Sequence, residues 1–171
     1  MPEDGIVIDR SRNTIRISRS YAANVDRAWW AWTDAEAITK WWGPAGWAAT
    51  VYEMDVRPGG RWRFQIAPED GSTEPVRGIA TYRRVVPRAE LAYEDSFADE
   101  AWQPDGTGTF PTAVTFSSDG TGCRVEVEAS FPDGQALRRA VELRMAEGYA
   151  EALDRLGDLL ETPMETRSCR P

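Results

Sequence analysis

Apolar and polar residues alternate with a period of two along most of the chain, and with a helical period in two places. Ile15, Ile17 and Tyr21 alternate with Thr14, Arg16, Ser18 and Ser20, the mark of a half-buried strand over residues 14–21. The same alternation recurs over residues 48–56, 60–67, 76–86, 89–95, 112–118 and 123–131. Over 48–56 one face carries Tyr52, Met54 and Val56, and the other Glu53 and Asp55. Over 60–67, Trp62, Phe64 and Ile66 oppose Arg61, Arg63 and Gln65. Putting both apolar sets on one side requires an odd-length connection. A loop over Pro58, Gly59 and Gly60 then predicts Val56 opposite Trp62, Met54 opposite Phe64 and Asp55 opposite Arg63. Leu91 and Tyr93 point inward from the strand over 89–95, as do Val125, Val127 and Ala129 from the last one. Residues 96–111, with Trp102 and a glycine-rich run, read as a long loop.

The helical period appears first after residue 24. Asn24 can cap a helix in which Val25, Ala28, Trp29 and Trp32 share a face. Thr33 and Glu36 have capping-box spacing, so a second short helix is predicted from Asp34 to about Trp41, ended by Gly43, Pro44 and Gly46. The second helical region starts from an Asp133 cap. Leu137, Val141, Met145, Tyr149, Ala152 and Leu156 form its apolar seam. It predicts one helix over 133–161, roughly 40 Å long at 1.5 Å per residue. Gly148 interrupts this helix at about 1 kcal/mol relative to alanine, and close approach of a neighbouring element is one reason to keep it. The expected organisation is an N-terminal arm over 1–12 with a short strand at 6–8, one domain over 13–161, and a tail over 162–171.

Composition narrows the chemistry. Six of the eight tryptophans fall between residues 24 and 47, which makes that stretch either a core plug or a pocket wall. The net charge of −8 disfavours nucleic acid and anionic membrane surfaces. No apolar run approaches the ~20 residues of a membrane span, and no secretory signal is evident. Two cysteines, Cys123 and Cys169, fit a reducing cytoplasm better than a disulfide framework. The absence of histidine removes Ser–His and Cys–His nucleophile pairs and the usual zinc sites. No cofactor or metal is expected. The pairs Glu53/Asp55 and Glu126/Glu128 lie on polar strand faces and read as solvated. The glycine runs at 59–60 and 106–108 lack the helix and lysine of a phosphate loop.

The element order, a strand, two short helices, about six antiparallel strands and a long helix, predicts an α+β domain. Within it, Val25, Trp29, Trp32-Thr33-Asp34, then Trp41-Trp42-Gly43-Pro44, then Asp55, Arg57-Pro58-Gly59-Gly60 and Trp62 form an ordered set. Gly78, Gly120-Thr121-Gly122, Gly148-Tyr149, Leu153 and Leu156 extend it. This pattern resembles the heat-shock protein 90 ATPase activator homologue family of the START-like, or SRPBCC, superfamily. The resemblance covers about residues 13–161. It implies a helix-grip fold like that of the birch pollen allergen, a curved antiparallel sheet wrapped around a long C-terminal helix, with a cavity for hydrophobic small molecules. Tyr149 stands where many relatives carry tryptophan, and the 96–111 segment is extended. The eukaryotic co-chaperone has a second, chaperone-binding domain for which this chain has no room, so a heat-shock chaperone is not an expected partner.

The reading is therefore a cytoplasmic domain that binds a hydrophobic small molecule, lipid or aromatic, with no assigned reaction. Expected cavity residues are Trp41, Trp42 and Trp47 at the mouth, and Tyr52, Met54, Trp62 and Phe64 on the concave sheet. Phe116, Val127 and Met145 line it further, with Tyr82, Tyr93 and Tyr149 as polar groups needing partners. Trp29 and Trp32 are assigned to the core. One alternative is a cyclase- or hydrolase-like enzyme in the same cavity, which requires a buried polar group with a displaced pKa. Strand parity puts the clear acidic residues outside, so no catalytic residue is assigned. A chaperone- or stress-related interaction protein is the other alternative. Homodimerisation through Trp30, Trp102 or a sheet edge is left open.

Overall fold

A computed structural model describes residues 4–162. Eight strands form one antiparallel sheet: β1 (Gly5–Asp9), β2 (Thr14–Tyr21), β3 (Trp47–Met54), β4 (Arg61–Pro68), β5 (Val76–Val86), β6 (Glu90–Ala98), β7 (Pro104–Asp119) and β8 (Gly122–Ser130). The strand order is β1-β2-β8-β7-β6-β5-β4-β3. Four helices accompany it: α1 (Val25–Thr33), α2 (Ala35–Trp41), α3 (Gly134–Glu142) and α4 (Met145–Glu161). This is the helix-grip arrangement. The two short helices carry the chain from β2 to β3, at the far edge of the sheet.

Local chemistry sets the helix ends. The Asn24 side chain accepts from the Arg27 N–H at 3.0 Å and starts α1. Asp34 serves two helices: its N–H donates to the Trp30 carbonyl, and its carboxylate accepts from the Ala37 N–H at 2.9 Å. The capping residue of α2 is thus Asp34, while the Thr33 hydroxyl turns back to the Trp29 carbonyl. Asp133 caps α3 through the Ala136 N–H.

Three expectations are corrected and one is extended. The hairpin β3–β4 pairs Met54 with Trp62, Glu53 with Arg63 and Val51 with Phe64, with a bulge between Val51 and Glu53. The turn runs from Asp55 to Gly60 and shifts the pairing by two residues, so Arg63 pairs with Glu53 at 2.7 Å and Asp55 turns to Arg57, while beyond the bulge at Tyr52 the parity of β3 reverses. The expected loop over 96–111 is largely strand, because β6 runs on to Ala98 and β7 begins at Pro104. The short strand expected at 6–8 runs over Gly5–Asp9 as β1, which pairs with β2 over its whole length and exposes Ile6, Val7 and Ile8 along the sheet edge. The C-terminal helix is two helices. Leu143 and Arg144 break it, the latter left-handed at φ 58°, after the Arg144 N–H closes a tight turn on the Val141 carbonyl. The tail beyond residue 162 lies outside the described residues.

One core fills the space between sheet and helices. Trp32, Trp41, Trp62, Ile15, Ile17, Leu153 and Leu156 are among its fully buried side chains. The Tyr21 hydroxyl donates to the Leu153 carbonyl at 2.7 Å, fastening β2 to α4. Trp30 packs partly buried against this core, and Trp102 lies under Tyr52, Arg63 and Arg77. Both tryptophans raised as dimer contacts therefore have partners in their own chain. Among the described residues no helix is long and apolar enough to cross a membrane.

Candidate functional site

Two adjoining cavities open where the helix breaks. The first, of about 200 Å³, lies between the turn after α2 and the break before α4. Trp42, Gly43 and Pro44 wall one side, Phe64 and Ile66 of β4 the next, and Met145, Gly148 and Tyr149 the third. The second, of about 390 Å³, runs along α3 past Phe131, Ala136 and Ala140. Phe97, Phe110, Leu143 and Met145 belong to the walls of both. Leu143 is 67% exposed and Phe97 37%, so apolar side chains stand at the opening.

Trp42 links this site to the core. Its ring lies 4.7 Å from Trp62, 5.4 Å from Phe64, 5.5 Å from Trp41 and 5.6 Å from Tyr149, centroid to centroid. Such edge-to-face contacts hold aromatic walls in one orientation. The turn carrying Trp42 is held from α4: the Arg155 guanidinium donates to the carbonyls of Gly43, Pro44 and Trp47 at 3.0–3.1 Å.

The floor of the first cavity is polar. Leu91, Tyr93 and Asp95 lie two apart on β6 and all face inward. Asp95 is 6% exposed and lines the cavity. Burial pushes its carboxyl up to about 7, against a weaker opposing hydrogen bond from the Ser96 backbone. Register sets Tyr82 and Thr112 on either side of Tyr93. The hydroxyls of Tyr82 and Thr112 and the indole N–H of Trp62 are buried without a hydrogen-bond partner among the described residues, and those of Tyr93 and Tyr149 are buried with only each other to meet. Burial pushes all three phenols well above their ordinary range, and Asp95 adds to each. Most buried polar groups in folded proteins are paired, so a cluster of unpaired ones marks a place for another molecule.

Of the expected cavity residues, the structure brings Trp42, Phe64, Met145 and Tyr149 to the wall. Trp41 is fully buried, its indole donating to the Ala31 carbonyl at 2.9 Å, so it belongs to the core and not to the mouth. Trp47 is half-buried at the start of β3 and offers its carbonyl to Arg155. Tyr52 is the residue at the bulge and is 53% exposed, its ring tilted against Trp102 at 4.9 Å between centroids. Met54 packs partly buried on the core, while Trp62, Tyr82, Tyr93, Phe116 and Val127 are buried within it. Trp62, Tyr82 and Tyr93 form the layer behind the cavity floor; Phe116 packs instead against Trp29 and Trp32. Asp95, Phe97 and Phe110 were not anticipated. Extending the alternation of Leu91 and Tyr93 by one and two steps reaches Asp95 and Phe97.

Against families of known proteins, residues 22–161 match the model of Activator of Hsp90 ATPase homolog 1-like protein. The chain belongs to this family. Solved relatives have the same fold over nearly the whole chain. Protein Ms6760 of Mycobacterium smegmatis is 28% identical, with a TM-score of 0.86 over 95% of this chain and 99% of that one. A protein of Arthrobacter aurescens is 24% identical, with a TM-score of 0.87 over 98% of each chain. One from Silicibacter pomeroyi is 17% identical, with a TM-score of 0.70 over 86% of this chain and 96% of the other. At these last two identities the likeness speaks for the fold alone. A search of curated proteins finds no match. Family membership thus accounts for the frame, and the chemistry of the site has to be argued from its own residues. Among the described residues no cluster of Cys, Asp and Glu is arranged to hold a metal ion.

Proposed function

We propose that this member of the family is a binding domain for a small hydrophobic molecule, held between the broken C-terminal helix and the sheet. The observation that carries the reading is the pair of apolar cavities sharing one aromatic wall, with unpaired polar groups beneath the first. Natural ligand sites have mostly apolar walls, a few placed polar groups, and volumes of roughly 300–1,000 Å³; the second cavity, at about 390 Å³, lies in that range and the first, at about 200 Å³, extends it. The test is native mass spectrometry of protein purified from its own host, alongside a Gly148→Leu variant that fills the first cavity. A co-purifying molecule lost in the variant is the expected result. Absence of any bound molecule, together with unchanged uptake of apolar probes by the variant, would sink the reading.

Asp95 favours a second reading. A buried carboxyl titrating near 7 beside phenols is suited to proton transfer at neutral pH. In that case the same cavity would convert its ligand. Mass analysis of ligand recovered after incubation separates the two readings: unaltered ligand supports binding alone, and a product that fails to form with Asp95→Asn supports an enzyme.

A further inference from the structure

The first cavity buries a carboxyl, Asp95, that forms no ion pair among the described residues. Asp95 lines it, almost fully buried, and among the described residues it is the one carboxylate that does. The titratable groups facing Asp95 are all phenols: Tyr82 from β5, Tyr93 from its own strand and Tyr149 from α4. From β7 the neighbours are Phe110 and Thr112, and from β4 Phe64, none of which carries charge. Arg77 borders the same cavity, but its guanidinium lies 5.7 Å over the Trp102 ring, on the other side of the sheet. Arg144 is exposed at the helix break. A buried carboxylate left without a counter-ion is disfavoured unless something else supplies one.

We propose that the first cavity selects ligands bearing a protonated amine, with Asp95 as the counter-ion and the Trp42, Phe64 and Tyr149 rings enclosing the apolar body. This rests on the reading of the domain as a small-molecule binder and names the class of molecule. Aromatic faces next to the carboxylate favour the same charge, since a cation is drawn to the electron-rich face of a ring. The Tyr93 and Tyr149 hydroxyls interact with one another beside Asp95, and both keep oxygen lone pairs that can accept from an ammonium.

Three probes of similar body test the charge: phenethylamine, neutral phenethyl alcohol and anionic hydrocinnamate. An alkylammonium stays protonated to about pH 9. At about pH 8.5 the amine is expected to bind at least about tenfold tighter than the alcohol, which amounts to about 1.4 kcal/mol. Hydrocinnamate should bind more weakly than either. In Asp95→Asn the preference for the amine should vanish while affinity for the alcohol is kept, which shows that the cavity is intact. In the unaltered protein, lowering the pH to about 5.5 protonates Asp95, so the amine should lose about tenfold in affinity and the alcohol nothing. This last comparison needs no variant. Equal binding of amine and alcohol, a preference that survives Asp95→Asn, or tightest binding of hydrocinnamate overturns the assignment and leaves the binding domain standing. Binding of none of the three also overturns the amine assignment, and the binding domain then stands or falls with the molecule seen by native mass spectrometry.

Discussion

Asp95 sits where an inward leucine, Leu91, and an inward tyrosine, Tyr93, set the parity of β6, so burial was imposed on a carboxylate by its strand. That burial has a definite sign. An unfolded Asp95 ionises near 3.8 and the folded one near 7. The folded state therefore holds the proton more tightly, and the stability associated with this group is complete below about pH 4 and declines as pH rises towards 7. At about 1.4 kcal/mol per pH unit, the loss reaches about 4 kcal/mol. Asp95→Asn should thus be the more stable protein at pH 8, with the advantage closing as pH falls to 4; urea unfolding at a series of pH values measures it. Trp41 and Trp42 are adjacent in sequence but differ in task. Trp41→Ala empties a fully buried site and should lower stability by about 3–5 kcal/mol in the same assay. Gly78 is set by Phe64, whose ring occupies the space that a Cβ would need.

Among the elements, the broken helix matters most. A straight helix over 133–161 would have no gap at Leu143 and Arg144, and both cavities are built around that gap. No proline or glycine announces the break, which is why periodicity alone runs through it. Gly148 follows one turn later. A Cβ there would meet only Pro44, at an ordinary 3.7 Å, so close packing does not require glycine. Gly148→Ala should raise stability by about 1 kcal/mol through helix propensity, and should weaken binding of phenethyl alcohol by narrowing the cavity. Calorimetry of both quantities on one sample checks the trade. Arg155 does the opposite work by fastening α4 to the Trp42 turn. Replacing it with Met keeps the apolar stem and leaves carbonyls unpaired, so a loss of about 2–3 kcal/mol is expected in urea unfolding.

At the scale of the molecule, β2 and β8 pair although most of the chain separates them, and Tyr21 lies opposite Cys123. Cys123 is fully buried, and burial pushes its thiol up to about 11. Its reaction with a thiol reagent therefore needs the sheet to open. In a Cys169→Ser background, labelling of Cys123 should follow the global unfolding equilibrium measured by urea. Labelling much faster than that would mean that β8 opens locally. Strand identity, helix caps and the α+β order were legible in sequence because each depends on neighbours a few positions away. The alternation of Ile15, Ile17 and Tyr21 and the caps at Asn24 and Asp133 are such local signals. The register of β3 on β4 was not, because neither the length of the turn over 55–60 nor the bulge at Tyr52 is marked in an alternation that is otherwise continuous.

The amino-acid pattern by itself determined that a tryptophan-rich helix pair, an antiparallel sheet and a C-terminal helical region share one apolar core. It also determined that histidine-based chemistry is absent. Both follow from residue type and spacing. Tertiary structure alone decided which aromatic rings face a cavity and which are core, since Trp41 and Trp42 differ only by the rotation of one residue at the end of α2. It also placed Asp95 beneath that cavity, with no ion pair to either arginine that lines it. Pairing of charges is a property of positions in space, and only the folded sheet brings Tyr82, Tyr93, Tyr149 and Asp95 together with no cation among them.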